Sequence, residues 1–341
     1  MESSIASAAQ GFNLKCTRIY RDKFGYICAT DKGLVRIQRP DRGQMVHAQN
    51  NQASSGSSSS SSFDNSLLAH ILFQHEVKEY LHDKGLRVDR FIISVQAQPY
   101  LKMGDDCFVA SYAQTPGFNN ADFTDDKVFL AIVACVAQMH SHLSAAEFKA
   151  KPKTKRRIAA DAAKQAENLE TLKRKLLRGG KFSEFDMHFL KGCERFIRHI
   201  EAYADIPAGK LNFPKYVCHN LLKEENIYHD GNEAWITNFS EAGYANYLFD
   251  LAYIIKRRIK ARPPQALPLG SILDAYLAHH HHGGDGFDKE IFRRILLYPD
   301  KFVKVSMDYY SKKRSFAPKT YLTRIEECFR TDDAMMEYVA T

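Results

Sequence analysis

The chain has 341 residues, enough for two domains or one two-lobed unit with an ample core, and its 45 % hydrophobic content is that of a globular protein. A net charge of +8 is a mild basic excess, which argues against a dedicated nucleic-acid binder. Seven scattered cysteines without a Cys-x-x-Cys pair, most of them in apolar surroundings, read as buried free thiols and favour a reducing compartment. The segment MESSIASAAQGFNLKC lacks the charged and apolar regions of a signal peptide, and no apolar run approaches the roughly 20 residues of a membrane helix. The expectation is a chain made in the cytosol that stays soluble or peripheral.

Residues 12–39 alternate as short strands: Arg18–Tyr20, Phe24–Ala29, and Leu34–Gln38 after the turn signal Asp31-Lys32-Gly33. The low-complexity run Asn50–Ser62, NNQASSGSSSSSS, cannot pack and predicts disorder. A helix is predicted from about Asp64 to Lys84, where Leu67, Leu68, Ile71, Leu72, Val77, Tyr80 and Leu81 recur near the helical period, and Gly85 ends it. Two more strands, Arg90–Gln96 and Cys107–Tyr112, are separated by Gly104-Asp105-Asp106. Residues 1–115 thus predict a small mixed, antiparallel sheet with one long helix.

Residues 113–123 read as a connector into a larger, mainly helical lobe, 116–341. Thr124 is the predicted cap of a helix from Asp125 to Leu143 that is nearly all apolar and therefore buried. Residues 151–178 predict a strongly basic helix with cations at both ends: Lys151, Lys153, Lys155, Arg156 and Arg157, then Lys173, Arg174, Lys175 and Arg178. That helix reads either as a solvated face or as a dock for an anionic partner or anionic lipid headgroups. Its scarcity of aromatics argues against single-stranded nucleic acid, which needs stacking platforms. Gly179-Gly180 stops it, and a helix from about Ser183 to Tyr203 follows with Phe185, Phe189, Phe196 and Ile200 on its apolar face. After Pro263-Pro264 the chain is mostly helical, interrupted at His279–His282 beside Gly283-Gly284. Four consecutive histidines on a loop rarely converge on a metal, so they read as a flexible, exposed surface loop. Tyr309-Tyr310 reads as packing.

The chemistry concentrates between Tyr216 and Arg257. An apolar strand, Tyr216–Cys218, leads into a polar loop with His219 and Asn226. A hairpin turns at His229–Asn232, its second strand Ala234–Thr237 ends at Asn238-Phe239, and a helix carrying Asp250 follows. Phosphoryl transfer from ATP needs an Asp to orient the hydroxyl, and an Asn and a second Asp to hold Mg²⁺. In aminoglycoside-phosphotransferase-like kinases the order is His-x-Asp-x-x-x-x-Asn, then a hydrophobic strand ending in Asp. The present chain is similar in frame, with His219 and Asn226 at the right offsets, but has Leu221 at the base position and Asn238 at the strand end. Leu221 cannot accept a proton, and Asn238 offers a metal an amide oxygen without charge. Asp250 is expected to stabilise the loop rather than to react, and His219 to be structural. Glu224, Glu225 and Glu241 are the nearest candidates for a replacement base or ligand.

The remaining parts of such a site are also reduced. The Lys-equivalent position on the third strand falls on Gln38, with Ile37 or Arg39 after a one-residue slip, and its helix partner is Glu76 or Glu79. The loop Lys23-Phe24-Gly25-Tyr26 has a single glycine. These readings predict no cofactor, with ATP and Mg²⁺ required only if Asn226 and Asn238 serve as atypical metal ligands.

The C-terminal third resembles the CotS family of bacterial spore coat proteins, through Tyr298-Pro299, Lys301-Phe302, Lys304 and Tyr309-Tyr310. The helix and loop Glu76–Leu86 and the apolar helix containing Met139-His140 are also similar. The resemblance runs over nearly all of the chain after residue 12 except the serine run. It implies a bilobal, protein-kinase-like (aminoglycoside-phosphotransferase-like) fold of the α+β class. It also implies synthesis in the mother cell, a place in the endospore coat, and other coat proteins as partners. Leu221 and Asn238 depart from the members that keep both catalytic Asp residues. The leading expectation is a catalytically inactive coat protein. The alternatives are a phosphotransferase with atypical metal ligands and a nucleotide-sensing pseudokinase.

Overall fold

The computed structural model describes residues 2–22, 25–40, 60–113, 119–150, 161–211, 216–261, 267–280, 287–311 and 318–340. Outside them lie Lys23-Phe24, most of the serine run, part of the 113–123 connector, Lys151–Arg157, Pro263-Pro264 and His281–Gly286. The chain divides into two compact units. The first is Met1–Ala121 with His142–Lys155 and His219–Tyr244; the second is Asp122–Ser141 with Arg156–Cys218 and Ala245–Thr341.

In the first unit, α1 (Glu2–Gly11) precedes β1 (Cys16–Asp22), β2 (Gly25–Thr30) and β3 (Gly33–Gln38). After α2 (Ser60–Asp83) and β4 (Arg87–Val88) come β5 (Leu101–Met103), β6 (Asp106–Tyr112) and β7 (Asn119–Asn120). The main sheet is antiparallel in the order β1-β2-β3-β6-β5. Its core face buries Cys28, Val35, Ile37, Leu101, Phe108 and Ala110 against Ile5, Ala8, Ala9 and Phe12 of the N-terminal segment. Each such aliphatic or aromatic side chain contributes roughly 1.5–3 kcal/mol when fully buried. Gly11 packs closely here: a Cβ there would stand 2.3 Å from a Leu101 methyl and force that side chain to shift.

Several expectations are corrected here. α1 is a helix the sequence reading does not contain. α2 starts at Ser60, so the disorder expected through Ser62 is corrected at its last residues. Arg90–Gln96 is not a strand: it makes one bridge, Phe91 to Ser111, and then turns, and Leu101–Met103 pairs with β6 instead. Ser94 explains the turn, since its hydroxyl donates to Tyr100 O at 2.7 Å and its backbone N–H to Gln98 O at 2.9 Å.

A second sheet in this unit has the order β4-β10-β9-β7, where β9 is Ile227–His229 and β10 is Ala234–Ile236. β9 and β10 form the expected hairpin, whose turn Asp230 closes by accepting from the Asn232 and Glu233 amides. β4 joins β10 in parallel, and the Asp89 amide continues that ladder to Ile236 O at 3.3 Å.

The second unit is helical. It holds α3 (Asp126–Ser144) up to Ser141, α4 (Ala162–Gly179), α5 (Glu184–Ala204), α6 (Ala208–Leu211) and the short strand β8 (Tyr216–Cys218). Beyond β11 (Gly243–Ala245) follow α7 (Leu248–Ala261), α8 (Leu269–His279), α9 (Lys289–Leu297), α10 (Asp300–Ser311) and α11 (Pro318–Ala340). The cap of α3 is Asp125, whose carboxylate accepts from the Val128 amide at 2.9 Å; Thr124 instead bonds Asp122, which corrects the expected cap. α3 is also, by length and composition, apolar enough to cross a membrane, correcting the expectation that no stretch approaches that length. The physical reason is burial: a helix packed on most of its faces is apolar on most of them.

Gly180 ends α4 in the left-handed conformation at φ 68°, and Ser183 opens α5 with a complete capping box to Asp186. The apolar face of α5 stacks on α10, with Phe196 and Phe302 ring centroids 4.0 Å apart and Phe185 and Tyr309 3.8 Å apart. His280 corrects the exposed-loop reading of the histidine run, for it is 3 % exposed and stacks on Tyr247.

Candidate functional site

The loop after β8 is shaped by asparagines. Asn220 and Asn238 both adopt left-handed backbone, φ 61° and 62°, a conformation asparagine tolerates better than other side chains with a Cβ. Asn220 Nδ2 then donates to Glu241 O at 3.0 Å and ties the loop to the turn Phe239–Glu241.

His219 is fully buried, and its neighbours fix its tautomer. Thr237 O, 2.9 Å from Nε2, accepts only, so Nε2 carries the proton; the Leu221 amide, 3.2 Å from Nδ1, donates only, so Nδ1 accepts. The imidazole is neutral with both nitrogens committed, and it braces the loop. Leu221 is half-buried at the position where a base is needed, and its carbonyl accepts from Asn226 Nδ2 at 2.8 Å. Asn226, 1 % exposed, spends its side-chain oxygen on Asn238 Nδ2 at 3.1 Å. The Asn238 amide donates to Asp89 Oδ1 at 3.2 Å, and Asp89 Oδ2 accepts from the Lys78 ammonium at 3.1 Å. One connected polar chain therefore runs from Lys78 through Asp89, Asn238 and Asn226 to Leu221.

Lys78 is 1 % exposed and lies 3.7 Å from the Phe91 ring centroid. Burial lowers its pKa below the ordinary 10.5, with Asp89 pulling the other way. Asn226 with Asn238 and Lys78 with Asp89 thus form an internal amide pair and an internal ammonium–carboxylate pair. A hard cation wants several oxygens, carboxylates above all. The Asn226 side-chain oxygen and both Asp89 oxygens have partners within the protein.

The other predicted parts are placed as follows. Ile37 is a core residue of β3, Arg39 pairs with Asp106, and Gln38 lies half-buried between them, with its Cγ 3.1 Å from the Cβ position of Gly25. Glu76 accepts from the Lys149 and Ala150 amides at 2.8 and 3.2 Å. Glu79 grips Arg90 through both oxygens at 2.9 and 2.5 Å. Glu225 lies 3.9 Å from Lys223.

In the second unit, Asp250 is 1 % exposed and meets His140 Nε2 at 3.3 Å, while His140 Nδ1 meets the Tyr276 hydroxyl at 2.7 Å. Cys218 joins them, so that one ligand atom each of His140, Cys218 and Asp250 lies within 4.8 Å of the others. This donor set suits Zn²⁺ by type, but both His140 nitrogens already hold partners, and burial and the Asp250 charge keep the Cys218 thiol well above its ordinary pKa. His140 thus links Asp250 of α7 to Tyr276 of α8, while the Cys218 thiol donates to Ala245 O at 3.5 Å.

Sequence reasoning missed Lys78 and Asp89. A signal existed for Lys78: buried residues Leu67, Ile71, Gln74 and Leu81 share one helical spacing, and position 78 continues it.

No protein-family model matches the chain. No curated protein matches it either. Solved structures do. The fold is similar to an aminoglycoside phosphotransferase from Alicyclobacillus acidocaldarius, with a TM-score of 0.71 and 14 % identity, covering 98 % of this chain and 93 % of that one. It is similar to an AMP-bound spectinomycin phosphotransferase, with a TM-score of 0.64 and 12 % identity, covering 100 % and 98 %. It is also similar to a choline kinase from Streptococcus pneumoniae, with a TM-score of 0.54 and 12 % identity, covering 99 % of each. The chain has the aminoglycoside-phosphotransferase-like, kinase-like fold, of the α+β class.

Proposed function

We propose that this chain is a catalytically inactive kinase-like protein that acts through protein contacts in the endospore coat or its assembly. The observation that carries the inactivity is the state of the loop. Leu221 stands where a base is needed, His219 has both nitrogens committed, and the Asn226 oxygen is spent on Asn238. The coat assignment rests on the C-terminal pattern Tyr298-Pro299, Lys301-Phe302, Lys304 and Tyr309-Tyr310. On this reading the protein is made in the mother cell, needs neither ATP nor Mg²⁺, and has other coat proteins as partners.

One observation favours a second reading. The Asn226 and Asn238 side chains are neighbours, and a half-turn of the Asn238 side-chain amide would break their hydrogen bond and turn both oxygens towards one metal ion; a spectinomycin phosphotransferase of similar fold binds AMP. An active phosphotransferase would use both asparagines as atypical Mg²⁺ ligands, and a nucleotide sensor would hold ATP without transferring it. A fluorescent fusion followed through sporulation tests the coat reading, with a ring of signal around the forespore expected. A diffuse vegetative signal, together with phosphate transfer from ATP by the purified chain, would replace it with the second reading.

A further inference from the structure

The hairpin of α4 and α5 ends in a tip whose composition neither catalysis nor core packing uses. Leu177, Phe182 and Met187 are 56 %, 43 % and 56 % exposed, three large apolar side chains within eleven residues of sequence. Phe182 and Met187 stand at N′ and N4 of α5, positions that lie side by side on the first turn. Both nonetheless remain exposed to water.

The cations around them are of two kinds. Lys173 and Arg174, on the body of α4, are engaged by Glu170 and Glu194. Lys175, Arg178 and Lys181, at the tip, are exposed and carry no ion pair among the described residues. The tip's own carboxylates are Glu184, which is exposed, and Asp186, which is buried in the capping box and bonded to Tyr310 at 2.9 Å. The tip is held by local contacts: Gly180 in left-handed conformation closes α4, the capping box opens α5, and Tyr309 stacks on Phe185. An apolar tip ringed by free cations fits an interface that is apolar within and negative at its surface. Single-stranded nucleic acid fits less well, because Phe182 is the one exposed aromatic of the tip and stacking needs a series.

We infer that the α4–α5 tip docks on an anionic lipid surface, with Leu177, Phe182 and Met187 at the acyl boundary and Lys175, Arg178 and Lys181 on the headgroups. Apolar insertion and cation attraction add in such contacts, and each cation near an anionic surface is worth about 1 kcal/mol, or roughly five-fold in partitioning.

The full chain is tested by co-sedimentation with phosphatidylcholine vesicles, with and without phosphatidylglycerol, at low and physiological salt. Binding is expected only where phosphatidylglycerol is present. It should fall about five-fold for each of Lys175→Gln, Arg178→Gln and Lys181→Gln. Phe182→Ser with Met187→Ser should weaken it at unchanged charge. Phe182→Trp supplies a second readout, a blue shift of emission on anionic vesicles. The inference is overturned by equal binding to neutral vesicles, by no binding at low salt, or by binding indifferent to both sets of variants, which would move the contact elsewhere on the chain. Loss of binding with the glutamines but not with the serines, and no blue shift, would also overturn it, leaving a purely electrostatic face open to an acidic protein.

Discussion

Asp89 holds two donors at once, the buried Lys78 ammonium at 3.1 Å and the half-buried Asn238 backbone N–H at 3.2 Å, so Asp89→Ala should be among the most damaging single changes in the first unit. Removing one partner of a buried ion pair costs roughly 3–5 kcal/mol, because the other charge stays buried and uncompensated. The orphaned Asn238 N–H adds about 1–3 kcal/mol unless another acceptor reaches it. The loss expected in a urea titration is therefore about 4–8 kcal/mol. Replacing both ions by apolar groups, Lys78→Met with Asp89→Leu, should recover most of the ion-pair part, since the desolvation of two charges offsets much of their attraction. The pH dependence has a definite sign. With Asp89 gone, burial is opposed on Lys78 only by the Glu79 charge, and its folded pKa is already below 10.5, so the unfolded chain binds the proton more tightly. The stability of Asp89→Ala should then rise with pH towards the unfolded lysine value of about 10.4. A loss below about 1 kcal/mol, or a double variant as unstable as the sum of the two single changes, would refute the reasoning.

Two further predictions rest on single contacts. Asn226→Ala removes the donor to Leu221 O and the acceptor for Asn238 Nδ2, and should cost about 1–3 kcal/mol in the same titration with no change at the α4–α5 tip. Glu327 sits between Lys260 at 2.8 Å and Lys301 at 2.5 Å. Burial works to raise its pKa, but the two lysines outweigh it and hold the carboxyl at about 2, below its ordinary 4.5. A depressed carboxylate stabilises the fold above its unfolded pKa, and that contribution is lost as pH falls from about 4.5 to about 2, so Glu327→Gln should flatten the acid limb of the melting curve in that window.

The parts of the fold that announce themselves in the sequence do so through local chemistry. Asp230-Gly231 sets the β9–β10 turn, Gly180 stops α4, and Ser183 with Asp186 starts α5. These devices act within a few residues, so reading them needs no tertiary context. α1 escaped because its buried residues are mostly Ala8 and Ala9, which carry little hydrophobic signal and matter through close approach to the sheet. β5 escaped because three residues are too few to show alternation.

The site divides in the same way. The offsets from His219 to Asn226 and Asn238 are legible, because a loop and a hairpin fix them. What those residues bond to is not. Lys78 lies in the charged run Glu76–Glu79, where a lysine is ordinarily solvated, and its partner Asp89 lies beyond the helix end. His140 and Asp250 are 110 positions apart, and only the packing of the helical unit brings them together.

On the proposed reading, the chain keeps a phosphotransferase-like fold and binds no nucleotide. A thermal shift measured with ATP and Mg²⁺, with ADP, and with Mg²⁺ alone tests it most directly. A ligand at a hundredfold its dissociation constant stabilises a fold by about 2.7 kcal/mol, a readily visible shift. The account predicts no shift at millimolar nucleotide under any of the three conditions. A shift that requires both ATP and Mg²⁺, and that disappears in Asn226→Ala or Asn238→Ala, would contradict it.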